Sequence, residues 1–280
     1  MLTNIQLSNA KINLALYINH KRIDGYHDIS TLMQEIDFSD KITISKNKNN
    51  QINIYSIGIK TPLDETNLCY VAANIFRDAF SIKDGIDITI NKKIPIGAGL
   101  GGGSSNAIST LKALGRIFEV DIGNKSLLSM AAKIGADVPF FINGRLQYAE
   151  GIGHTLNQMP PLLKSYIFLL VLPKICISTT WAYGAYKKYL EIKSNQSKFQ
   201  PLSSCELDWS LLRNDFEKVV LSAYPEIKRI KNDLQNSGSL FSSLSGSGST
   251  MFGVYDNLES VNTAKDLFNK YQTYTALPIY

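Results

Sequence analysis

The sequence predicts an α+β fold. Residues 1 to 60 alternate apolar and polar side chains in the manner of strands, as in Ile42-Thr43-Ile44 and Ile52-Asn53-Ile54-Tyr55. From Asn67 to Phe80 the pattern changes: Leu68, Val71, Ala72, Ile75, Phe76 and Ala79 recur at helical spacing. A third stretch, Ile86 to Ile90, interleaves Asp87 and Thr89, the mark of an antiparallel sheet with one wet face rather than a strand buried on both sides.

The elements follow in order. Lys46 to Gln51 is a polar run that reads as a hairpin loop between the first two strand patterns. Ala107, Ile108, Leu111, Leu114 and Phe118 mark one face of a helix, and Leu127, Leu128, Ala131 and Ile134 mark another that Gly135 is placed to end. Phe140-Phe141-Ile142 leads into a glycine turn, and Ile167 to Leu172, with Pro173 behind it, is a short apolar run of the buried-strand kind. Lys193 to Lys198 is a polar run expected on the surface, and Pro225 to Leu234 reads as a helix. Ser243 to Ser249 is a cluster of small residues that runs into the strand Met251 to Tyr255, and Val261 to Tyr271 reads as the last helix. A domain boundary is expected near Gly151 to Gly153, giving domains 1–152 and 153–280.

The chain has 280 residues, of which 44% are hydrophobic, enough for one large core or two modest ones. Its 29 basic and 24 acidic residues leave a mild positive charge that suits an anionic small molecule. The basic residues are scattered, so a nucleic-acid partner is not expected. Cys69, Cys176 and Cys205 are far apart and odd in number, which argues against a disulfide framework. The start of the chain lacks a signal-like apolar run, and Tyr166 to Leu172 is too short to cross a bilayer, so the expectation is a cytoplasmic protein with no membrane partner.

The richest segment is Pro95-Ile96-Gly97-Ala98-Gly99-Leu100-Gly101-Gly102-Gly103-Ser104-Ser105-Asn106. Glycines permit positive φ and close backbone approach, and Ser104, Ser105 and Asn106 are good caps for a following helix, whose first N–H groups attract a phosphate. No Gly-Lys-Ser or Gly-Lys-Thr ends the loop, so it is not a Walker A loop and the cation must come from elsewhere. Gly97, Gly99 and Gly102 do meet the G-x-G-x-x-G spacing, with Glu119 and Asp121 about 20 residues on. An NAD-dependent oxidoreductase is therefore a rival, although the alternating strand before the loop is wrong for it.

Further motifs accompany the loop: Ala10-Lys11-Ile12-Asn13-Leu14, Asp24-Gly25-Tyr26-His27, Gly135-Ala136-Asp137-Val138-Pro139-Phe140-Phe141, Ala149-Glu150-Gly151-Ile152-Gly153 and Ser245-Gly246-Ser247-Gly248-Ser249. With Pro95 to Ser105 they resemble, in the same order, the motifs of the GHMP family of small-molecule kinases. The resemblance implies a two-domain fold: an N-terminal domain of mixed, mainly antiparallel sheet with helices, and a ferredoxin-like C-terminal domain, with the site in the cleft between them. It also implies ATP as donor, Mg²⁺ arriving on the ATP phosphates, and a small-molecule acceptor that is a cytidylyl diphosphate of methylerythritol. That acceptor would be phosphorylated on its 2-hydroxyl, on the non-mevalonate route to isoprenoid precursors. The protein is expected to be a monomer or weak homodimer.

Such chemistry needs a base for the hydroxyl proton and cations for the phosphates. Asp137 is the candidate base, held on a stiff turn by Gly135 and Pro139, although an Asp at a helix end is more often simply solvated. Lys11 is the candidate cation, which the resemblance places beside Asp137; an isolated lysine in a strand is ordinarily a surface residue. Tyr26 and His27 follow Gly25 in a turn, where an aromatic face can stack on a pyrimidine. The resemblance implies that Asn13, Thr179, Tyr183, Gly246, Ser247 and Gly248 face the acceptor and Asn67 the nucleotide, while Ser178 to Trp181 departs from the family's proline-containing form. His20 and His154 read as surface or loop histidines. A third reading is an RNA-binding module, since the family's N-terminal fold is shared in part with translation proteins; the lack of clustered arginines and stacking aromatics argues against it.

Overall fold

A computed structural model describes residues 3–192 and 207–280. The elements are β1 (Thr3–Lys21), β2 (His27–Asn47), β3 (Ile52–Gly58), α1 (Leu68–Phe80), β4 (Gly85–Lys92), α2 (Gly102–Ile117), α3 (Asn124–Ile134), α4 (Phe140–Asn143), β5 (Leu146–Gly151), β6 (Thr155–Gln158), β7 (Ile167–Leu172), α5 (Thr179–Ile192), α6 (Glu217–Ala223), α7 (Pro225–Asn236), β8 (Phe241–Leu244), β9 (Met251–Tyr255), α8 (Leu258–Asp266) and β10 (Gln272–Ala276). They form two compact units that are not contiguous in sequence. Of the described residues, unit one holds 3–10, 38–96 and 101–143, and unit two holds 11–37, 97–100, 144–192 and 207–280.

In unit one, β4 pairs antiparallel with the C-terminal part of β2, from Lys41 opposite Asn91 to Asn47 opposite Gly85. Its other edge pairs in parallel with β3. The expected hairpin over Lys46 to Gln51 is therefore absent: β4 lies between β2 and β3, and α1 is the crossover that a parallel pair requires. The one-faced alternation is observed, because Ile86, Ile88 and Ile90 are buried while Asp87 and Thr89 are half-buried. α1 turns Ala72, Ala73 and Phe76 inward, and α2 turns Ile108, Leu111 and Leu114 inward. Burial of each phenylalanine, leucine or isoleucine among these contributes about 1.5–3 kcal/mol. α3 ends at Gly135, but with φ 173 that residue is extended, so the stop does not use a left-handed cap.

In unit two, the N-terminal part of β2 pairs antiparallel with β5, and β5 with β6. Gly151 and Gly153, at φ 72 and 96, sit where β5 turns back into β6. A second, antiparallel sheet has the order β10-β7-β9-β8. Strand, helices, hairpin, helix, strand in that order is the ferredoxin-like arrangement. Leu169 and Val171 on β7 pack with Ala182, Tyr186, Ile227 and Ile230 from the helices and with Phe268 just beyond α8. Phe168 and Leu170, on the opposite phase, are also fully buried, which explains the unbroken apolar run. The expected last helix stops at Asp266, short of Tyr271, and its N-cap is Asn257. The helix α5 carried no sequence expectation, and the polar run 193–198 lies outside the described residues.

Candidate active site

The middle of β1 is buried on both faces, so its period-two alternation sends Lys11 and Asn13 to one side and Ile12 and Leu14 to the other. Lys11 is only 3% exposed. Its ammonium donates to Asn13 Oδ1 at 2.5 Å, and Asn13 Nδ2 donates to Thr31 Oγ1 at 2.8 Å. A buried ammonium is costly without acceptors, so its place beside Asn13 is specific. The backbone of the same residue reaches the glycine loop, for Lys11 N donates to Leu100 O at 2.9 Å.

Within unit two, Gly97 to Leu100 packs on the loop that joins β8 to β9. Ser245 Oγ donates to Gly99 O at 2.9 Å and accepts from Asn13 N at 3.3 Å. Thr250 N donates to Ala98 O at 3.3 Å. Gly99 has φ 79, and a Cβ there would lie 1.9 Å from Ser245 O, so this position admits only glycine. Lys11, Asn13, Gly99 and Ser245, predicted from three separate motifs, are thus joined by hydrogen bonds. Gly246 and Gly248 hold φ 56 and 91, and both are buried with Ser247. Ser247 and Thr179 hydroxyls are 2.9 Å apart.

The His27 ring stacks on Tyr183 at 4.5 Å and 14°, and Tyr183 meets Phe216 edge-on at 4.8 Å. Burial, with a smaller push from Lys21, holds the His27 imidazole below its usual range, so it is neutral at pH 7. Tyr26 is 62% exposed, in the turn that Gly25 closes with φ 88.

In unit one, α2 begins earlier than the caps Ser104 to Asn106 suggest: Gly101, at φ 67, is the N-cap and offers no side chain. The first N–H groups of α2 have no acceptor within the helix and form its positive end. Ser104 is half-buried in this first turn. Ser105 Oγ instead accepts from Ser8 Oγ at 2.8 Å, and Asn106 Nδ2 donates to Asp40 Oδ2 at 2.9 Å. Pro95 is half-buried and Ile96 exposed ahead of them. Asn67 caps α1, accepting from Cys69 N at 2.9 Å and donating to Pro62 O at 2.7 Å. Asp137 is half-buried on the turn between α3 and α4, which Val138 N closes onto Gly135 O at 3.2 Å.

The family description "GHMP kinases N terminal domain" matches residues 67–145, and "GHMP kinases C terminal" matches 202–271. The 4-diphosphocytidyl-2-C-methyl-D-erythritol kinase of Thermodesulfovibrio yellowstonii is 40% identical over 94% of this chain and 93% of its own. The chain belongs to the 4-diphosphocytidyl-2-C-methyl-D-erythritol kinase family. The kinase of that name from Prosthecochloris aestuarii is also 40% identical, over 89% of this chain and 87% of its own. Among solved structures, a 4-(cytidine 5'-diphospho)-2C-methyl-D-erythritol kinase superposes with TM-score 0.79 at 27% identity, covering 98% of this chain and 99% of that one. A homoserine kinase from Cytophaga hutchinsonii, at 19% identity and TM-score 0.70, shares the fold, covering 97% of this chain and 95% of its own. This GHMP kinase is an ATP-dependent small-molecule kinase with the two-domain α+β fold. The oxidoreductase reading falls, because the glycine spacing sits in a GHMP N-terminal domain and follows a strand paired antiparallel with β2.

The kinase also contains a buried network that the sequence reading missed. Asp40 Oδ1 accepts from Lys93 N at 2.7 Å and Ile94 N at 2.9 Å, and Asp40 Oδ2 accepts from Lys92 Nζ and Asn106. A signal existed. Asp40 continues the inward phase of Ile36, Phe38, Ile42 and Ile44, and Lys92 continues that of Ile86, Ile88 and Ile90. A charged side chain on the inward phase of a strand calls for a buried partner of opposite sign. Among the described residues no group of three or more His, Cys, Asp or Glu could hold a metal, and no helix is long and apolar enough to cross a membrane.

Proposed function

We propose that this kinase transfers the γ-phosphoryl group of ATP to the 2-hydroxyl of 4-diphosphocytidyl-2-C-methyl-D-erythritol, on the non-mevalonate route to isoprenoid precursors. The observation that carries the reaction type is the buried Lys11 ammonium on a strand whose backbone is bonded to Leu100 of the glycine loop. The choice of acceptor is supported by the relatives, which share about two residues in five with this chain along nearly its whole length and are named for that substrate.

In this reading Pro95, Ile96, Gly97, Ala98, Gly99, Leu100, Gly101, Gly102, Gly103, Ser104 and Ser105 form the ATP segment. The first turn of α2 gives its N–H groups to the phosphates. Ser104 is the better hydroxyl for an oxygen of ATP, since Ser105 is bonded to Ser8. Asn67 acts from the start of α1, which it caps. Mg²⁺ carried on the triphosphate would neutralise phosphate charge there, and the half-buried Ser104 hydroxyl at the start of α2 would be the side chain to reach it. Asp137 accepts the 2-hydroxyl proton as the acceptor oxygen bonds to the γ-phosphorus and the bond to ADP breaks. Lys11 offsets the charge on the transferring group. Asn13, Thr179, Gly246, Ser247 and Gly248 meet the polyol and its diphosphate, while Tyr26, His27 and Tyr183 take the cytosine. A neutral imidazole suits that task, because it offers a base edge one donor and one acceptor.

A coupled ADP-release assay with the cytidylyl substrate, homoserine, mevalonate and galactose tests the acceptor. Turnover is expected with the first alone. A higher kcat/KM with any of the others overturns the assignment.

A further inference from the structure

We propose that Asn214 is a positioning residue of the acceptor side: its carboxamide holds the Ser245 to Gly248 loop in the shape that meets the acceptor. The inference rests on the reading above, in which that loop faces the cytidylyl substrate.

Asn214 lies in the short segment before α6 and is 2% exposed. Its Nδ2 donates twice, to Leu244 O at 2.7 Å and to Gly246 O at 2.8 Å. These carbonyls are two residues apart on the outgoing limb of the loop. One neutral NH₂ group satisfies both, which a hydroxyl, with a single proton, cannot do. The remaining acceptor is also used, because Phe216 N donates to Asn214 Oδ1 at 3.0 Å.

The side chain works from a fixed base. Leu16 N donates to Arg213 O and Asp215 N to Leu16 O, both at 2.8 Å, so the backbone of Asn214 is stitched to β1. Asp215 Oδ2 takes Ile18 N at 3.0 Å further along the same strand. β1 carries Lys11 and Asn13. Asn214 therefore references the loop to the strand that bears the candidate cation, and it does so from 32 residues away in sequence from Gly246. Next to the clamped carbonyls, Ser245 touches Gly99 O and Asn13 N, and Ser247 touches Thr179. Through Phe216 the same carboxamide also steadies the ring that packs on Tyr183.

The test uses the full chain with Asn214→Ala and Asn214→Asp. An aspartate at this position is nearly isosteric but, when ionised, turns an acceptor toward both carbonyls. Hydrogen exchange at Gly246 to Ser249 should quicken roughly tenfold in both variants while β7 and β9 keep their protection. The KM for the cytidylyl substrate should rise roughly tenfold, with ATP affinity by calorimetry changed less than about threefold, a split that a general loss of folded protein does not produce. Acid should partly rescue Asn214→Asp as its carboxyl gains a proton to donate. In the unaltered protein, the Asn214 side-chain amide resonances should be slow to exchange and should shift on addition of the cytidylyl substrate and not of ADP, a measurement that survives poor folding of the variants. Unchanged loop exchange, or faster exchange with acceptor KM unaltered, overturns the proposal. An unaltered protein that does not turn over the cytidylyl substrate sinks the functional reading instead, and the exchange arm still decides the clamp.

Discussion

The Lys92 ammonium donates to the Asp40 carboxylate inside unit one, at 3% and 0% side-chain exposure. Asp40 also takes the backbone N–H groups of Lys93 and Ile94, the two residues before the glycine-rich segment, and the amide of Asn106 on α2. Asn106 gives a second hydrogen to Ser8 at 2.9 Å. One carboxylate thus fixes where the strand leaves β4 and how α2 sits behind it. Gly102 completes the arrangement, since a Cβ there would come 2.8 Å from Lys92 Nζ.

The two ends of this pair should differ in cost. Removing one partner of a buried ion pair destabilises by about 3–5 kcal/mol, and each further buried donor left without an acceptor adds about 1–3 kcal/mol. Lys92→Met leaves Asp40 with three donors, whereas Asp40→Leu strands all four. Urea unfolding should therefore rank Asp40→Leu as the more damaging by at least about 2 kcal/mol. Equal losses would show that the backbone bonds of Lys93 and Ile94 carry nothing.

Two glycines of the loop should respond in opposite ways to alanine. At Gly99 the new Cβ meets backbone oxygen at 1.9 Å with φ 79, so Gly99→Ala combines a clash with left-handed strain of about 1–2 kcal/mol. At Gly103, inside α2, the nearest atom is the Leu68 side chain at 3.5 Å, and alanine should be neutral or stabilising by up to about 1 kcal/mol. Melting temperatures of the two variants give the comparison. A Gly99→Ala protein as stable as the parent would mean that the Gly99 and Ser245 segments separate freely.

Asp137→Asn should lower kcat by about 10²–10⁴ while ATP still binds, because the amide cannot take the hydroxyl proton. Lys11→Met should also lower kcat, and in addition it removes the hydrogen bond to Asn13. ADP release gives the rate and calorimetry the binding. Turnover of Asp137→Asn within a few fold of the parent would remove the general-base role.

His27 should titrate with a midpoint below 6.5 in the native protein, as proton NMR of the imidazole will show. Burial is the larger cause and Lys21 the smaller, so Lys21→Ala should raise the midpoint only part of the way, and Tyr183→Ala, which uncovers the ring, should raise it further. The unfolded chain binds this proton more readily than the fold does. The His27 contribution to stability is therefore complete above pH 6.5 and is lost as pH falls through the native midpoint. A native midpoint at or above 6.5 would contradict the burial.

What the sequence determined was local and periodic. The alternation of Ile86 to Ile90, the helical spacing of Leu68 to Ala79 and the apolar run Ile167 to Leu172 each specify an element, because backbone period and side-chain burial are coupled within a few residues. Pro95 to Ser105 and Gly246 to Gly248 were legible as backbone shapes, because glycine and small polar residues at fixed spacing record one, whereas Lys11 stood out only through the family resemblance. Pairing between elements is not written in any one window. Only the fold placed β4 between β2 and β3, overruling the hairpin that Lys46 to Gln51 suggests. Only the fold began α2 at Gly102, with Gly101 as its N-cap, and turned Ser105 and Asn106 inward toward Ser8 and Asp40. And only the fold brought Asn214 to Gly246, since a hydrogen bond across 32 residues depends on where two helices and a strand pack, a sum of many weak contacts that no local pattern encodes.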